Sequence, residues 1–289
     1  VGALDFFGGG PCIHLPVDRR AGPGEGDGLV DSSGSRQSIL IPRVDVLGVH
    51  ISAVDMDGAT SEISRWIRDQ EQHYVCVTGV HGVMESQRDP ELLRIHNESG
   101  LTTPDGMPMV WAGRRAGARI SRVYGPDLML ALCALAELRG WSSFFYGGQA
   151  GIPERLSQCL LSRFPGLKVA GTYSPPYRPL TAEEDHDAVE RINSSNPAIV
   201  WVGLSTPKQE RWMAAHVGRV RAPVIIGVGA AFDIHAGTLR QAPRWMQRRG
   251  LEWLYRLIRE PRRLWRRYLR NNPAFVYRLL RRPPRLLRS

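Results

Sequence analysis

Short β-rich runs alternate with stretches of helical periodicity along most of this chain. Apolar runs at Val44–Ile51, Tyr74–Thr78, Ser142–Tyr146, Leu167–Thr172, Ala198–Val202 and Val224–Val228 predict strands. Stretches near 58–70, 90–97, 106–113, 126–139, 150–163, 181–194 and 206–216 predict helices. Alternation of this kind predicts an α/β fold, a mostly parallel Rossmann-like sheet with helices on both faces. After Gly237 the strands are expected to stop, leaving consecutive helices broken at Pro243, Pro261, Pro273 and Pro283. Residues 1–38 are rich in Gly, Pro, Ser and Asp, lack periodicity and read as disordered. Three regions result: a disordered segment over 1–38, an α/β domain over 39–238 and a helical appendage over 239–289.

Charge sharpens that division. The net charge is +10, yet from Arg240 to Ser289 sixteen arginines stand against only Glu252 and Glu260. The appendage therefore carries +14 and the remainder −4, so an anionic partner is expected for the appendage alone. The four cysteines are scattered without metal spacing, and Cys76 and Cys133 sit in apolar segments as reduced core residues. No apolar run approaches the ~18 residues needed to span a bilayer, and the first fifteen residues lack the regions of a signal peptide. A cytoplasmic protein is the expectation.

In an open parallel sheet, ligands bind beyond the carboxyl ends of the strands, so chemistry is sought there. Gly147, Gly148 and Gln149 follow "SSFFY" in a glycine turn, where backbone N–H groups can approach a phosphate or where glycines serve packing alone. The turn is one residue short of G-x-G-x-x-G, and the next strand lacks a ribose-binding acid, which disfavours NAD but leaves a nucleoside diphosphate open. After "AIVWV", Ser205 or Thr206 can cap a helix with Pro207 in its first turn. Lys208 and Gln209 then fall where the helix dipole disfavours a cation, a hint of function set against the plain reading of solvated side chains. Asp233, after "VIIGV", can bind a ribose hydroxyl or cap a turn, and Thr78 can donate to a substrate oxygen. Asp105 in "TPDG" is a turn residue by its own signature. It also follows a short β-prone run, which puts its carboxylate on the same sheet edge as Thr78 and Gly148. His81 is assigned no role. Asp55-Met56-Asp57 matches the metal-binding D-x-D pattern, but N-capping of the following helix accounts for Asp57.

Six segments occur in order: "TPDGMPMVWAGR", "RVYGPDL", "FFYGG", "GLSTPKQERWM", "GVGAAFDIHAGTLRQAPRW" and "GLEWLYRLIREPRRLWRRY". Together they resemble the WecG/TagA/CpsF family of bacterial glycosyltransferases over about residues 43–270. The resemblance implies an inverting enzyme needing neither cofactor nor metal. It would move N-acetylmannosamine or its uronic acid from a UDP-sugar to an undecaprenyl-diphosphate-linked acceptor, for teichoic acid or exopolysaccharide synthesis. It implies Asp105 as catalytic base, and Thr78, Arg122 and Gln209 as pocket residues. Arg256, Arg263 and Arg266 would close over the donor diphosphate, with Gly147, Gly148 and Asp233 lining the nucleotide site. Where the family often reads Thr-x-Asn, this chain has Thr78-Gly79-Val80, and Val80 cannot make an amide's hydrogen bonds.

A base acting near pH 7 gains from a carboxyl pKa raised by burial. The departing diphosphate needs arginine and backbone donors. At 100° per residue, Leu264, Trp265, Tyr268 and Leu269 share one face of a helix while Arg262, Arg263, Arg266, Arg267 and Arg270 share the other. That pattern suits a helix lying on the inner face of an anionic membrane, or a surface helix packed on the body. Arginine interleaved with aromatics also fits a single-strand nucleic-acid binder, but no nucleic-acid module accompanies it and the body is acidic, so no nucleic-acid partner is expected. A soluble nucleotide-sugar epimerase or dehydrogenase with bound NAD is the third reading, and a homo-oligomer is compatible with all three.

Overall fold

The computed structural model describes residues 41–287; the segment read as disordered and the domain boundary near residue 39 both lie outside them. Six parallel strands form the central sheet: β3 (His73–Thr78), β4 (Leu101–Pro104), β5 (Ser142–Gly147), β6 (Lys168–Tyr173), β7 (Ile199–Gly203) and β8 (Val224–Gly227), in the order β4-β3-β8-β7-β5-β6. Alternation along these strands divides the core. Val75, Phe145, Trp201 and Ile226 face helices α1 (Met56–Asp69), α5 (Gly125–Arg139), α6 (Ile152–Arg163) and the short α9 (Ala231–His235). Cys76, Tyr146, Val202 and Ile225 face α3 (Pro90–Glu98), α7 (Ala182–Ser194) and α8 (Lys208–His216). Both faces are therefore covered and the architecture is α/β as expected, with Cys76 and Cys133 as buried free thiols.

A second sheet is small and antiparallel. β1 (Arg43–Val46) and β2 (Val49–Ser52) replace the single strand expected over Val44–Ile51, because Leu47 and Gly48 both take positive φ, 56° and 92°, and turn the chain back on itself. The third strand of this sheet, β9 (Arg285–Leu287), comes from the arginine-rich end and pairs with β1. Strands thus do not stop at Gly237.

Between β8 and β9 run α10 (Arg244–Arg248), α11 (Glu252–Arg259) and α12 (Pro261–Arg281). α12 continues straight through Pro273, where a break was expected. Asn271 and Phe275 flank the proline and are both buried, and this packing offsets the missing backbone hydrogen bond. Phe275 enters a core cluster with Val44, Val46, Met84 and Met109, which fixes the appendage to the body.

Local details depart from expectation in three more places. Asp55, rather than Asp57, caps α1, accepting from Gly58 N at 2.8 Å. α8 begins at Lys208 after a cis Thr206–Pro207 bond, with neither Ser205 nor Thr206 capping it; the Thr206 hydroxyl instead donates to Glu210 at 2.8 Å. A short helix, α2 (Val80–Ser86), follows β3 where none was expected, and α4 (Met107–Arg115) begins just after Asp105.

Candidate active site

β3 and β8 are neighbours, but the chain leaves β3 towards the face of α3 and leaves β8 towards the face of α9. Adjacent strand ends that diverge in this way leave a crevice at the carboxyl edge of the sheet. A cavity of about 1030 Å³ opens there, roomy enough for a nucleotide-sized ligand with a second group beside it. Thr78, Asp105, Gln209 and Gly229 line its sheet side, and Gln247, Glu252, Arg256, Arg263, Arg267 and Tyr268 line it from the appendage.

Asp105 owes its position to the last rung of the parallel ladder. Its N–H donates to the Thr78 carbonyl at 2.9 Å, which leaves the side chain just beyond the strand end. Burial pushes the Asp105 carboxyl up to about 7, and the nearby Glu252 carboxylate adds to the rise. Arg122 and Arg256 pull it the other way. The result is a carboxyl that exchanges its proton near neutral pH.

Around it stand polar atoms without partners. The Thr78 hydroxyl, Gln209 Oε1, Arg122 Nε and Arg256 Nε are all buried and unbonded, although all four residues line the cavity. Buried polar groups are almost always satisfied by protein, water or ligand, so four such atoms around one cavity mark it as built to receive polar groups. Arg122 is otherwise firmly held: it donates to Gln247 Oε1 at 2.9 Å and to Glu252 Oε2 at 2.6 Å, and its guanidinium lies 3.9 Å from the centre of the Tyr124 ring. Gln247 and Glu252 belong to the appendage, so Arg122 ties that segment to the body inside the cavity wall.

The other expected residues divide. Asp233 lines the cavity, and burial raises its carboxyl despite a Thr238 hydroxyl contact at 3.4 Å. Lys208 is exposed at the rim with its ammonium 4.5 Å from the centre of the Tyr177 ring. Arg263 lines the cavity while its Nε donates to Glu260 at 2.6 Å. Arg266 does not line it; it is exposed beside Trp265, and Arg267 takes the inward position instead. Gly147, Gly148 and Gln149 share the sheet edge with Asp105 but not the cavity. β5 lies four strand spacings from β4, about 19 Å across the sheet. A Cβ on Gly147 would come within 2.8 Å of the Gly203 backbone, and one on Gly148 within 3.2 Å of Ile152. Gly147 lets two backbones pack against each other, and Gly148 leaves room for the Ile152 side chain.

Several cavity residues had no sequence signal strong enough to single them out. Glu252 came closest, as one of only two acids among sixteen arginines. His81 also lines the cavity; burial, reinforced by Arg267, pushes its imidazole down to about 4, so it is neutral at physiological pH. Asn271 bridges it, with its amide nitrogen 3.3 Å from His81 Nδ1 and its oxygen accepting from Arg88 at 2.8 Å. Val80 lines the same wall and offers no polar group there. The aromatic and aliphatic face read on α12 is split: Leu264 is fully buried, whereas Trp265 and Leu269 are exposed. Among the described residues, no three His, Cys, Asp or Glu side chains are grouped to hold a metal ion, and no helix is long and apolar enough to cross a membrane.

The sequence profile of the glycosyl transferase WecG/TagA/CpsF family matches residues 44–288. A Bacillus subtilis (strain 168) protein named N-acetylglucosaminyldiphosphoundecaprenol N-acetyl-beta-D-mannosaminyltransferase is 33% identical over 183 residues, covering 63% of this chain and 69% of that protein. A Bacillus spizizenii protein of the same name is 30% identical over 193 residues, covering 66% and 72%. One from Staphylococcus aureus (strain MW2) is 26% identical over 237 residues, covering 81% and 91%.

Proposed function

The chain belongs to the glycosyl transferase WecG/TagA/CpsF family, and from that premise we propose that it transfers an N-acetylmannosamine-like sugar from a UDP-sugar to a polyprenyl-diphosphate-linked N-acetylglucosamine. The carrying observation is Asp105, a carboxyl held at about 7 in a cavity that it shares with Arg256, Arg263 and Arg267. Relatives named for an N-acetylglucosaminyldiphosphoundecaprenol acceptor support the choice of substrate.

In this reading the acceptor hydroxyl attacks the anomeric carbon while Asp105 takes its proton. The new carbon–oxygen bond forms as the bond to the UDP oxygen breaks on the opposite face, so the anomeric configuration inverts and UDP leaves with the electron pair. Arg256, Arg263 and Arg267 stabilise the charge gathering on the leaving diphosphate, a task for which planar, permanently charged guanidinium groups are suited without a metal ion. The unpartnered Thr78 hydroxyl and Gln209 amide oxygen hold sugar hydroxyls. Tail residues that point outward, among them Arg262, Arg266, Arg270, Trp265 and Leu269, dock the protein on the inner, anionic face of the membrane, where the acceptor resides.

The test is transfer from a panel of UDP-sugars to a lipid-diphosphate-GlcNAc analogue by purified protein, with and without chelator. Asp105→Ala is expected to reduce turnover by about 10²–10⁴-fold, the range for losing a general base, while UDP still binds by calorimetry. Unchanged turnover in the variant removes Asp105 from the mechanism, and no transfer from any donor removes the assignment.

A further inference from the structure

The cavity wall changes character along α12. Residues lining the cavity recur along the length of the helix: first Arg263, Arg267 and Tyr268, then Asn271, Asn272 and Pro273, then Phe275, Val276 and Leu279. The charged groups stand at the start, the amides in the middle and hydrocarbon alone at the end, over about 24 Å of helix. Across the cavity, α4 begins at the catalytic carboxyl's own turn and presents Met107, Pro108 and Trp111 to the same space. The two helices also share the buried cluster beneath, through Met109, Ala112 and Phe275. Trp111 and Val276 both line the cavity, yet are 51% and 56% exposed, so they stand at its mouth.

A nucleotide-sugar has no hydrocarbon to place against such a wall. The acceptor does: it is a sugar, then a diphosphate, then an apolar chain. We propose that the cavity takes the diphosphate-linked acceptor lengthwise, with its first prenyl units lying between α4 and the second half of α12. This rests on the transferase reading above and deepens it. The prenyl chain leaves past Trp111 and Val276, so the acceptor is gripped by its lipid as well as by its sugar. Apolar chain length would then set affinity even where no membrane is present.

The experiment compares two soluble acceptors, GlcNAc-diphosphate esterified with a methyl group and with a farnesyl group, in lipid-free and detergent-free buffer. Wild-type protein is expected to show a kcat/KM for the farnesyl acceptor about tenfold or more above that for the methyl acceptor, expressed in KM, as burial of a few methylene groups provides. In Val276→Asp and Trp111→Ala that ratio is expected to fall towards one, while Val276→Leu restores it. Because the readout is a ratio within each variant, a general loss of activity does not imitate the effect. Equal kcat/KM for the two acceptors in wild-type protein overturns the prenyl subsite and leaves the transferase assignment standing, as does a ratio unmoved by either substitution. Transfer to neither acceptor overturns the assignment itself, and the subsite with it.

Discussion

Asp105→Asn should make this protein more stable, and increasingly so as the pH rises. A carboxyl displaced from 3.8 to about 7 withholds about 4 kcal/mol of folding free energy once the pH exceeds both values. The sign follows from proton counting: between the two values the folded state keeps a proton that the unfolded state has released, so stability falls as pH rises through that window. Below about pH 4 the penalty is absent, near pH 5 it is about 1–2 kcal/mol, and above pH 7 it is complete. Asparagine has nearly the same shape and no charge, so it removes the penalty at every pH. The cavity is wide enough to admit water around the side chain, which makes about 4 kcal/mol an upper bound. The assay is urea denaturation of wild type and variant at pH 5 and pH 8, read by tryptophan fluorescence. The expected gap between the two proteins widens by about 2–3 kcal/mol from the lower to the higher pH. A gap that is the same at both, or a variant less stable at pH 8, would show that the fold does not hold this carboxyl protonated.

Four further outcomes are expected. Glu252→Gln removes a charge that raises Asp105 and frees Arg122, which lowers it, so the acid limb of the kcat/KM profile should move to lower pH from a midpoint near 7; a pH–rate series checks this. Arg267→Gln should weaken UDP binding about tenfold or more in calorimetry, the scale of one lost charge-assisted contact. Arg266→Gln should leave UDP binding alone and reduce flotation with anionic vesicles instead. Gly147→Ala should destabilise the fold by about 1–3 kcal/mol, as overpacking does, because its Cβ would strike the Gly203 backbone; thermal melting reads this, and the affinity of folded protein for UDP should not change.

Much of this was legible in the chain because the relevant signals are local. The strand–helix alternation is written in hydrophobic period, and Asp105 sits beside a β-prone run that carries it to the sheet edge. The glycine turn was open to two readings for a physical reason. Glycines that let a backbone approach a phosphate and glycines that let it approach another backbone, as Gly147 does against Gly203, leave the same residues in the sequence. Arg266 was expected at the diphosphate from the family resemblance, and helical periodicity could not correct this, since it fixes which side chains share a face but not how the helix is rotated against its neighbours. Phe275, buried in the cluster below, sets that rotation and turns Arg267 rather than Arg266 to the cavity. β9 was invisible because three residues beside two prolines carry no pattern of their own, and its partner is β1, at the far end of the described chain.

That pairing dictates an order of events during synthesis. Arg43 aligns with Leu287, and Arg282 donates to Asp45 at 2.8 Å, so the contact closes a loop of roughly 240 residues at an entropic cost of about 5 kcal/mol. The β1–β2 hairpin can form as soon as it leaves the ribosome, and the parallel sheet can assemble behind it. The third strand has no partner to offer until residues 285–287 emerge. Until then α12 rests on the body through Phe275 in the cluster beneath it, without the strand pairing that holds the segment beyond its far end. The last tether between the appendage and the first hairpin is therefore made only after residues 285–287 are available to pair.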